Sequence, residues 1–129
     1  MCESRSIDLA FYRLERAEGD LKTARLNFAH EYRAAANRAY YAVFNAMRAL
    51  LALEKKDFKR HSAVIAEFRK DYLKTRLLPP ELSGVIRDAF KTRNSSDYDD
   101  FFVASEEEIG GLIVGAENFV RQNRPVSPQ

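Results

Sequence analysis

"NRAYYAVFNAMRAL", residues 37–50, is a run in which apolar side chains recur every three or four residues. By this spacing one face of a helix carries the largest apolar side chains, which are Tyr40, Val43, Phe44, Met47 and Leu50. Alanine, the best helix former, occupies several of the remaining positions. The run therefore predicts a helix with one buried face, extending over about 31–53.

The same periodicity continues on both sides of this run. Helices are predicted at about 5–28, 31–53, 61–74, 79–96 and 105–122. The last has a clear start, because Ser105 and Glu108 have the spacing of a capping box. No strand pattern competes anywhere along the chain. Short connections favour antiparallel neighbours, so we expect an all-α, up-and-down bundle of about five helices, four main helices and one short one.

Length and composition predict one soluble domain. The 129 residues suit a single domain, 1–129, with a core over about 8–122 and a polar tail at 123–129. Cys2 is the only cysteine, which excludes an internal disulfide, and Glu3, Arg5 and Asp8 stand where a secretion signal needs apolar residues. The uncharged run 39–47 has only nine residues and is too short to span a bilayer. We expect a cytoplasmic protein without a membrane segment.

The net charge of +2 conceals two oppositely charged segments. Residues 33–93 hold 14 Lys and Arg against 6 Asp and Glu, whereas residues 94–120 hold 7 acidic residues and no basic one. A basic block of this size can attract phosphate. The alternative is a solvated face whose charges pair with the acidic segment.

Most common catalytic and metal motifs are absent. The chain has no GxGxxG or Walker-type loop, no HExxH and no CxxC. His30, His61 and a single cysteine do not make a metal site. The acidic run at 97–100 is either a divalent-cation site or, as we expect, a solvated turn. No metal and no cofactor are therefore predicted.

The second predicted helix also carries polar residues on one face. Asn37, Tyr41, Asn45 and Arg48 follow one another at spacings of four, four and three, with Arg38 beside them. Such a row can bind the phosphate of RNA or of a nucleotide, or it can form a polar layer inside the bundle.

Alanines keep this polar side of the helix slim. Ala42 and Ala49 lie among the polar residues, and small side chains let another helix approach closely. Together with an inward Arg93, the slim face predicts a two-fold interface between two copies of the chain.

Arg93 is unusual because of its position. It continues the apolar stripe of the fourth predicted helix, which contains Leu82, Ile86 and Ala89. An arginine on a buried stripe needs a partner, since an unpaired buried charge is costly. Its planar guanidinium matches phosphate, but an ion pair with Asp97, one turn further on, explains it equally well.

Four segments in this order resemble the HEPN family, and specifically its small, stand-alone prokaryotic branch. They are "RAYYAVF" (38–44), "KRHSAVIAEFRKDYL" (59–73), "TRNSSDYDDF" (92–101) and "EEEIGGLIVGAENFV" (106–120). The resemblance covers about 8–122 and implies a helical up-and-down bundle that forms a homodimer. Many HEPN proteins are metal-independent ribonucleases, and prokaryotic members are often paired with a small nucleotidyltransferase in a toxin–antitoxin system.

The resemblance also assigns roles to individual residues. The family's nuclease motif is an arginine followed four to six residues later by a histidine, and Arg93 fits the arginine. Tyr98 stands where the histidine would be, and no histidine follows Arg93. Tyrosine has a pKa of about 10 and is a poor general base near neutral pH. His61 or His30 substitutes for it only if the fold brings one of them close to Arg93.

The remaining matches lie on the second and third helices. Arg38 and Tyr41 fit the second-helix signature, Asn45 stands where close relatives often have histidine, and His61 opens the third helix as it does in the family. With Asn37 and Arg93, these residues form the predicted ligand- or phosphate-binding set.

Three functional hypotheses follow. The first is an RNA- or nucleotide-binding module that acts with a nucleotidyltransferase partner, for which Tyr98 is a candidate site of nucleotidyl modification. The second is a metal-independent ribonuclease toxin that uses Arg93 with Tyr98 or His61 as catalytic residues. The third is a structural bundle without a ligand. The sequence leaves open whether the protein is an enzyme.

Overall fold

The computed structural model describes residues 2–98 and 105–124, and side chains within 5–95 and 105–124. Five α-helices follow one another: α1 (Cys2–Phe28), α2 (Tyr32–Leu53), α3 (His61–Phe68), α4 (Leu82–Tyr98) and α5 (Glu106–Asn123). No strand occurs within the described ranges. The predicted all-α bundle of about five helices is confirmed.

Helix α2 lies at the centre of the bundle and packs against the other four helices. More than half of its residues are buried, and Met47 is fully buried in the core. The stripe predicted from residues 37–50 is thus the main source of the core.

Polar contacts give the direction of the neighbouring helices. Asp20 of α1 contacts Asn45 of α2, and the earlier Arg13 contacts the later Arg48, so α1 and α2 are antiparallel. Helices α1 and α5 are antiparallel as well, because Arg25 pairs with Glu117 while the earlier Glu18 pairs with the later Arg124.

Two helix boundaries differ from the prediction. The third predicted helix, 61–74, is α3 followed by one π-helical turn, Arg69–Leu73. The fourth begins at Leu82 rather than at 79. The amides of Leu82 and Ser83 donate to the carbonyls of Pro79 and Pro80, three residues back, so a tighter turn precedes α4.

The predicted start of the last helix is confirmed. Ser105 is the N-cap of α5, and its hydroxyl oxygen accepts a hydrogen bond from the Glu108 amide at 3.0 Å. Glu106, Glu107 and Glu108 fill the first turn, where negative charge suits the helix dipole. In the part of the chain that the structure describes, no helix is both long and apolar enough to cross a membrane.

Candidate functional site

Side chains from three helices converge on the aromatic side of α2. Arg93 of α4 places its guanidinium carbon 5.1 Å from the ring centre of Tyr40 and 5.9 Å from that of Tyr41. His61, the first residue of α3, places its Nδ1 2.8 Å from the Tyr40 hydroxyl. The His61 ring also lies 4.1 Å, centre to centre, from Phe44. We call these five residues the Arg93–His61 cluster.

The surroundings of His61 disfavour its charged imidazolium form. The ring is half-buried, and burial, followed by the positive charges of Arg93 and Arg48, lowers the pKa of His61 below its ordinary value. His61 and Arg93 also share neighbours, because each of the two side chains contacts the rings of Tyr40 and Tyr41. The fold therefore brings a histidine to Arg93, although none follows it in the sequence.

The contact between the Tyr40 hydroxyl and Nδ1 of His61 is compatible with either neutral tautomer of the imidazole. Burial raises the pKa of Tyr40 to about 12, against the opposing charge of Arg93, so the hydroxyl is protonated at neutral pH. When the hydroxyl donates to Nδ1, the neutral imidazole keeps its proton on Nε2 and can donate to a ligand. When the hydroxyl instead accepts from Nδ1–H, Nε2 has a free lone pair and can act as a base. The same contact therefore permits a binding tautomer and a catalytic tautomer.

Three of the predicted ligand residues belong to a different network, centred on Asp20 of α1. Asp20 is only 8% exposed. It accepts hydrogen bonds from Asn45 Nδ2 at 2.9 Å and from Arg38 Nη1 at 3.3 Å, and Arg38 Nη2 donates to Asn37 Oδ1 at 2.8 Å. Asn37, Arg38 and Asn45 thus form a polar layer with Asp20. This is the second of the two interpretations that the sequence left open for the polar row of α2.

Arg38 links this polar layer to the cluster. Its guanidinium carbon lies 5.3 Å from the ring centre of Tyr41, which Arg93 also contacts. Tyr41 is half-buried, so one aromatic ring stands between two arginines at the edge of the bundle. Of the predicted set, the structure brings together Arg93, His61, Tyr41 and Arg38.

A second ion-paired network adjoins the cluster beyond Phe44. The guanidinium carbon of Arg48 lies 5.8 Å from the Phe44 ring centre, and its Nη2 donates to Asp57 at 3.1 Å. Arg13 donates to the same Asp57 oxygen at 3.3 Å and to the Arg48 carbonyl at 3.2 Å. These contacts attach the loop after α2 to α1 and keep a second cation beside the aromatic rings.

Tyr98 is the last residue of α4, and its side chain lies outside the described residues, as does that of Asp97. Asp99 and Asp100 fall entirely outside them. The assignment of Tyr98 as a partner of Arg93 stays a prediction.

The slim face of α2 is occupied within the chain itself. Ala42 and Ala49 are fully buried, and Asn45, between them, is bonded to α1 through Asp20. Helix α1 covers the surface that we expected to meet a second copy. The homodimer therefore stays a prediction, without support from this face.

A family model for the HEPN domain matches residues 10–123. The chain belongs to the HEPN domain family. The match includes every residue of the Arg93–His61 cluster and of the Asp20 network.

Three relatives of this HEPN chain span most of its length. "Putative toxin MJ0142" of Methanocaldococcus jannaschii is 31% identical over 112 residues, which is 86% of this chain and 76% of the relative. A "UPF0332 protein" of Thermotoga maritima is 34% identical over 110 residues, 84% of this chain and 83% of the relative. "Putative toxin MJ0605" of M. jannaschii is 32% identical over 108 residues, 83% of this chain and 80% of the relative.

Several residues that matter in this HEPN domain were assigned only to the core or not singled out. The apolar spacing places Tyr40 and Phe44 on the buried face of α2. Spacing along one helix does not show that these two side chains contact His61, which lies on α3. Asp20 did leave a signal, because it lies three residues after Ala17 and four before Ala24, on the apolar stripe of α1. An acid on such a stripe indicates a buried polar partner.

His30 is exposed in the turn before α2, about ten residues and roughly 15 Å of helix from Tyr40. Of the two histidines, His61 is the one that contacts the aromatic rings of the cluster. Among the described side chains, those of 5–95 and 105–124, no three His, Cys, Asp or Glu are grouped so that they could hold a metal ion.

Proposed function

We propose that this HEPN chain is a toxin-like module that binds single-stranded RNA or a nucleotide, with the Arg93–His61 cluster as its binding site. The observation that carries the proposal is the convergence of Arg93, His61 and the half-buried Tyr41 from three different helices. These are the groups that a phosphate and an unstacked base require.

Each group has a chemical role in this proposal. The guanidinium of Arg93 has a fixed charge and a planar set of donors, which match two phosphate oxygens. His61, with its proton on Nε2, donates one more hydrogen bond. Tyr41 offers an aromatic face, and proteins bind single-stranded RNA largely by stacking bases on such rings beside cationic side chains.

The toxin context rests on similarity. Two of the relatives are named as putative toxins, and the family resemblance implies a small nucleotidyltransferase partner. We therefore propose that this chain acts with such a partner, that Tyr98 is the residue the partner modifies, and that the chain forms a homodimer.

A metal-independent ribonuclease is the second candidate, and the contact between Tyr40 and His61 favours it. With Nδ1–H donating to the Tyr40 oxygen, Nε2 of His61 can take the proton of a ribose 2′-hydroxyl. The 2′-oxygen then attacks the phosphate that Arg93 holds, and the bond to the 5′-oxygen breaks, leaving a cyclic phosphate. The departing 5′-oxygen takes a proton from water.

One assay separates the two candidates. Purified protein is mixed with fluorescein-labelled single-stranded RNA in the presence of EDTA, and fluorescence anisotropy and gel electrophoresis measure binding and cleavage. We expect binding that weakens as salt is raised, because phosphate contacts release counterions. Cleavage that is lost in His61→Gln, while binding is kept, establishes the ribonuclease. Absence of both binding and cleavage contradicts both candidates and leaves a structural bundle.

A further inference from the structure

A cavity of about 420 Å³ lies between α3 and α4, outside the Arg93–His61 cluster. Its apolar lining includes Ile65, Ile86 and Phe90, and its cationic lining is Arg69, Arg87 and Lys91. Ile86 is buried, whereas Arg87 and Lys91 are exposed, so apolar groups form the base and cations stand at the mouth. Ligand pockets commonly combine an apolar lining of this kind with a few polar groups.

The cavity adjoins the Arg93–His61 cluster through Phe90. The Phe90 ring lies 6.2 Å, centre to centre, from Tyr40, which bonds His61 and underlies Arg93. Phe90 precedes Arg93 by one turn of α4, and Ser62, also in the lining, follows His61 directly. A strand whose phosphate lies at Arg93 can therefore reach the mouth of the cavity with a neighbouring nucleotide.

We propose that the cavity takes one unpaired base of the RNA strand that Arg93 holds by its phosphate. This inference rests on the proposed function and adds the substrate class, single-stranded RNA with a base turned out of its stack. Phe90 is 38% exposed and gives the base an aromatic surface, and Ile65 and Ile86 give it an apolar one. RNA-binding proteins commonly hold unstacked bases against such side chains.

The cations of the lining favour an anionic ligand. Arg87 and Lys91 are exposed at the mouth of the cavity, one helical turn apart on α4, and can contact phosphates on either side of the base. The Nε of Arg69 is buried and, among the described residues, has no hydrogen-bond partner, so Arg69 has a donor to spare in the cavity wall. An acidic segment of a partner protein shares some of this complementarity, and the experiment below distinguishes it.

The experiment fills part of the cavity by enlarging a side chain at its exposed edge. Ala66 lines the cavity and is exposed, so Ala66→Phe adds a ring there without entering the core. Val114→Phe is the matched control, because Val114 is exposed on α5 and is not part of the lining. The probes are fluorescein-labelled oligouridylate and oligoadenylate, and an abasic strand of the same length.

Filling the cavity should weaken binding of a base-bearing strand by roughly tenfold, which is the loss of about one stacked base. Binding of the abasic strand should not change, and Val114→Phe should bind both strands like the unmodified protein. Arg93→Ala, in contrast, should weaken the binding of both strands because it removes a phosphate contact.

Three outcomes overturn the inference. The cavity holds no base if Ala66→Phe leaves the binding of the base-bearing strand unchanged, or if it weakens the binding of the abasic strand equally. RNA binding through Arg93 still stands in that case. If Ala66→Phe weakens the binding of a fluorescein-labelled oligoglutamate peptide, measured as a further probe, and not that of the base-bearing strand, the cavity is a docking site for an acidic protein segment. If no strand binds the unmodified protein, the inference fails together with the proposed function.

A second variant covers the case in which Ala66→Phe does not fold, as judged by circular dichroism. Phe90→Ala removes the aromatic wall and should also weaken base-bearing strands more than abasic ones. Equal effects on the two kinds of strand count against the base-binding cavity.

Discussion

Replacing Arg93 by alanine is expected to weaken the binding of single-stranded RNA by roughly ten- to a hundredfold, the loss of a charge-assisted phosphate contact. No other side chain in the cluster combines a fixed positive charge with contact to both Tyr40 and Tyr41. Fluorescence anisotropy at one fixed salt concentration measures the effect. The salt dependence of binding should also become shallower, since one phosphate contact is lost.

Two further variants show whether RNA binding depends on the planar geometry of the Arg93 guanidinium or on positive charge alone. Arg93→Lys keeps the charge but not the planar pair of donors, so its affinity should lie between those of the unmodified protein and Arg93→Ala. Lys22→Ala removes a positive charge from an exposed position on α1 and should change affinity little. If Lys22→Ala and Arg93→Ala weaken binding equally, RNA is attracted by overall charge and has no site at Arg93.

Replacing Asp20 by alanine is expected to lower the free energy of unfolding by about 2 kcal/mol. The change removes the acceptor for Asn45 and Arg38 from a buried position between α1 and α2. Arg38 is partly exposed, so water can solvate its guanidinium when Asp20 is removed. The loss in the free energy of unfolding is therefore smaller than for a fully buried ion pair. Unfolding in urea, monitored by circular dichroism, measures this loss in the free energy of unfolding.

The control for Asp20 is Glu15→Ala, which removes an exposed acid from the same helix and should change the free energy of unfolding by less than about 0.5 kcal/mol. Because Asp20 belongs to the polar layer and not to the cluster, Asp20→Ala should bind RNA at least as tightly as the unmodified protein. A large loss of affinity with unchanged stability would mean that the Asp20 network is part of the RNA site.

The bundle could be predicted because it depends on local rules. Apolar spacing located α2, and the Ser105–Glu108 spacing located the start of α5. The start of α4 was misplaced because helical spacing does not reveal which hydrogen bonds the turn at Pro79 and Pro80 makes. The π-helical turn after α3 left no signal, since its sequence continues the same apolar periodicity.

The site could be predicted only in part, because its key contact is between distant segments. Spacing placed Arg93 on the inward stripe of its helix, and it lies there half-buried against Tyr40. The approach of His61 depends on how α3 is laid against α2, which periodicity along one helix does not specify. The polar row on α2 left two readings open for the same reason. The partner of Asn45 and Arg38 proved to be Asp20, a residue on another helix.

The most direct test of the proposed RNA site is the titration of the two histidines by NMR, with and without single-stranded RNA. The chain contains only His30 and His61, so one reports on the cluster and the other, exposed before α2, is an internal control. In the free protein the pKa of His61 should lie below its ordinary value, because burial and the charge of Arg93 disfavour the imidazolium. A bound phosphate should raise the pKa of His61, whereas the NMR signals of the distant His30 should not respond to RNA. Saturation with RNA that leaves the titration of His61 unaltered would contradict binding at this site.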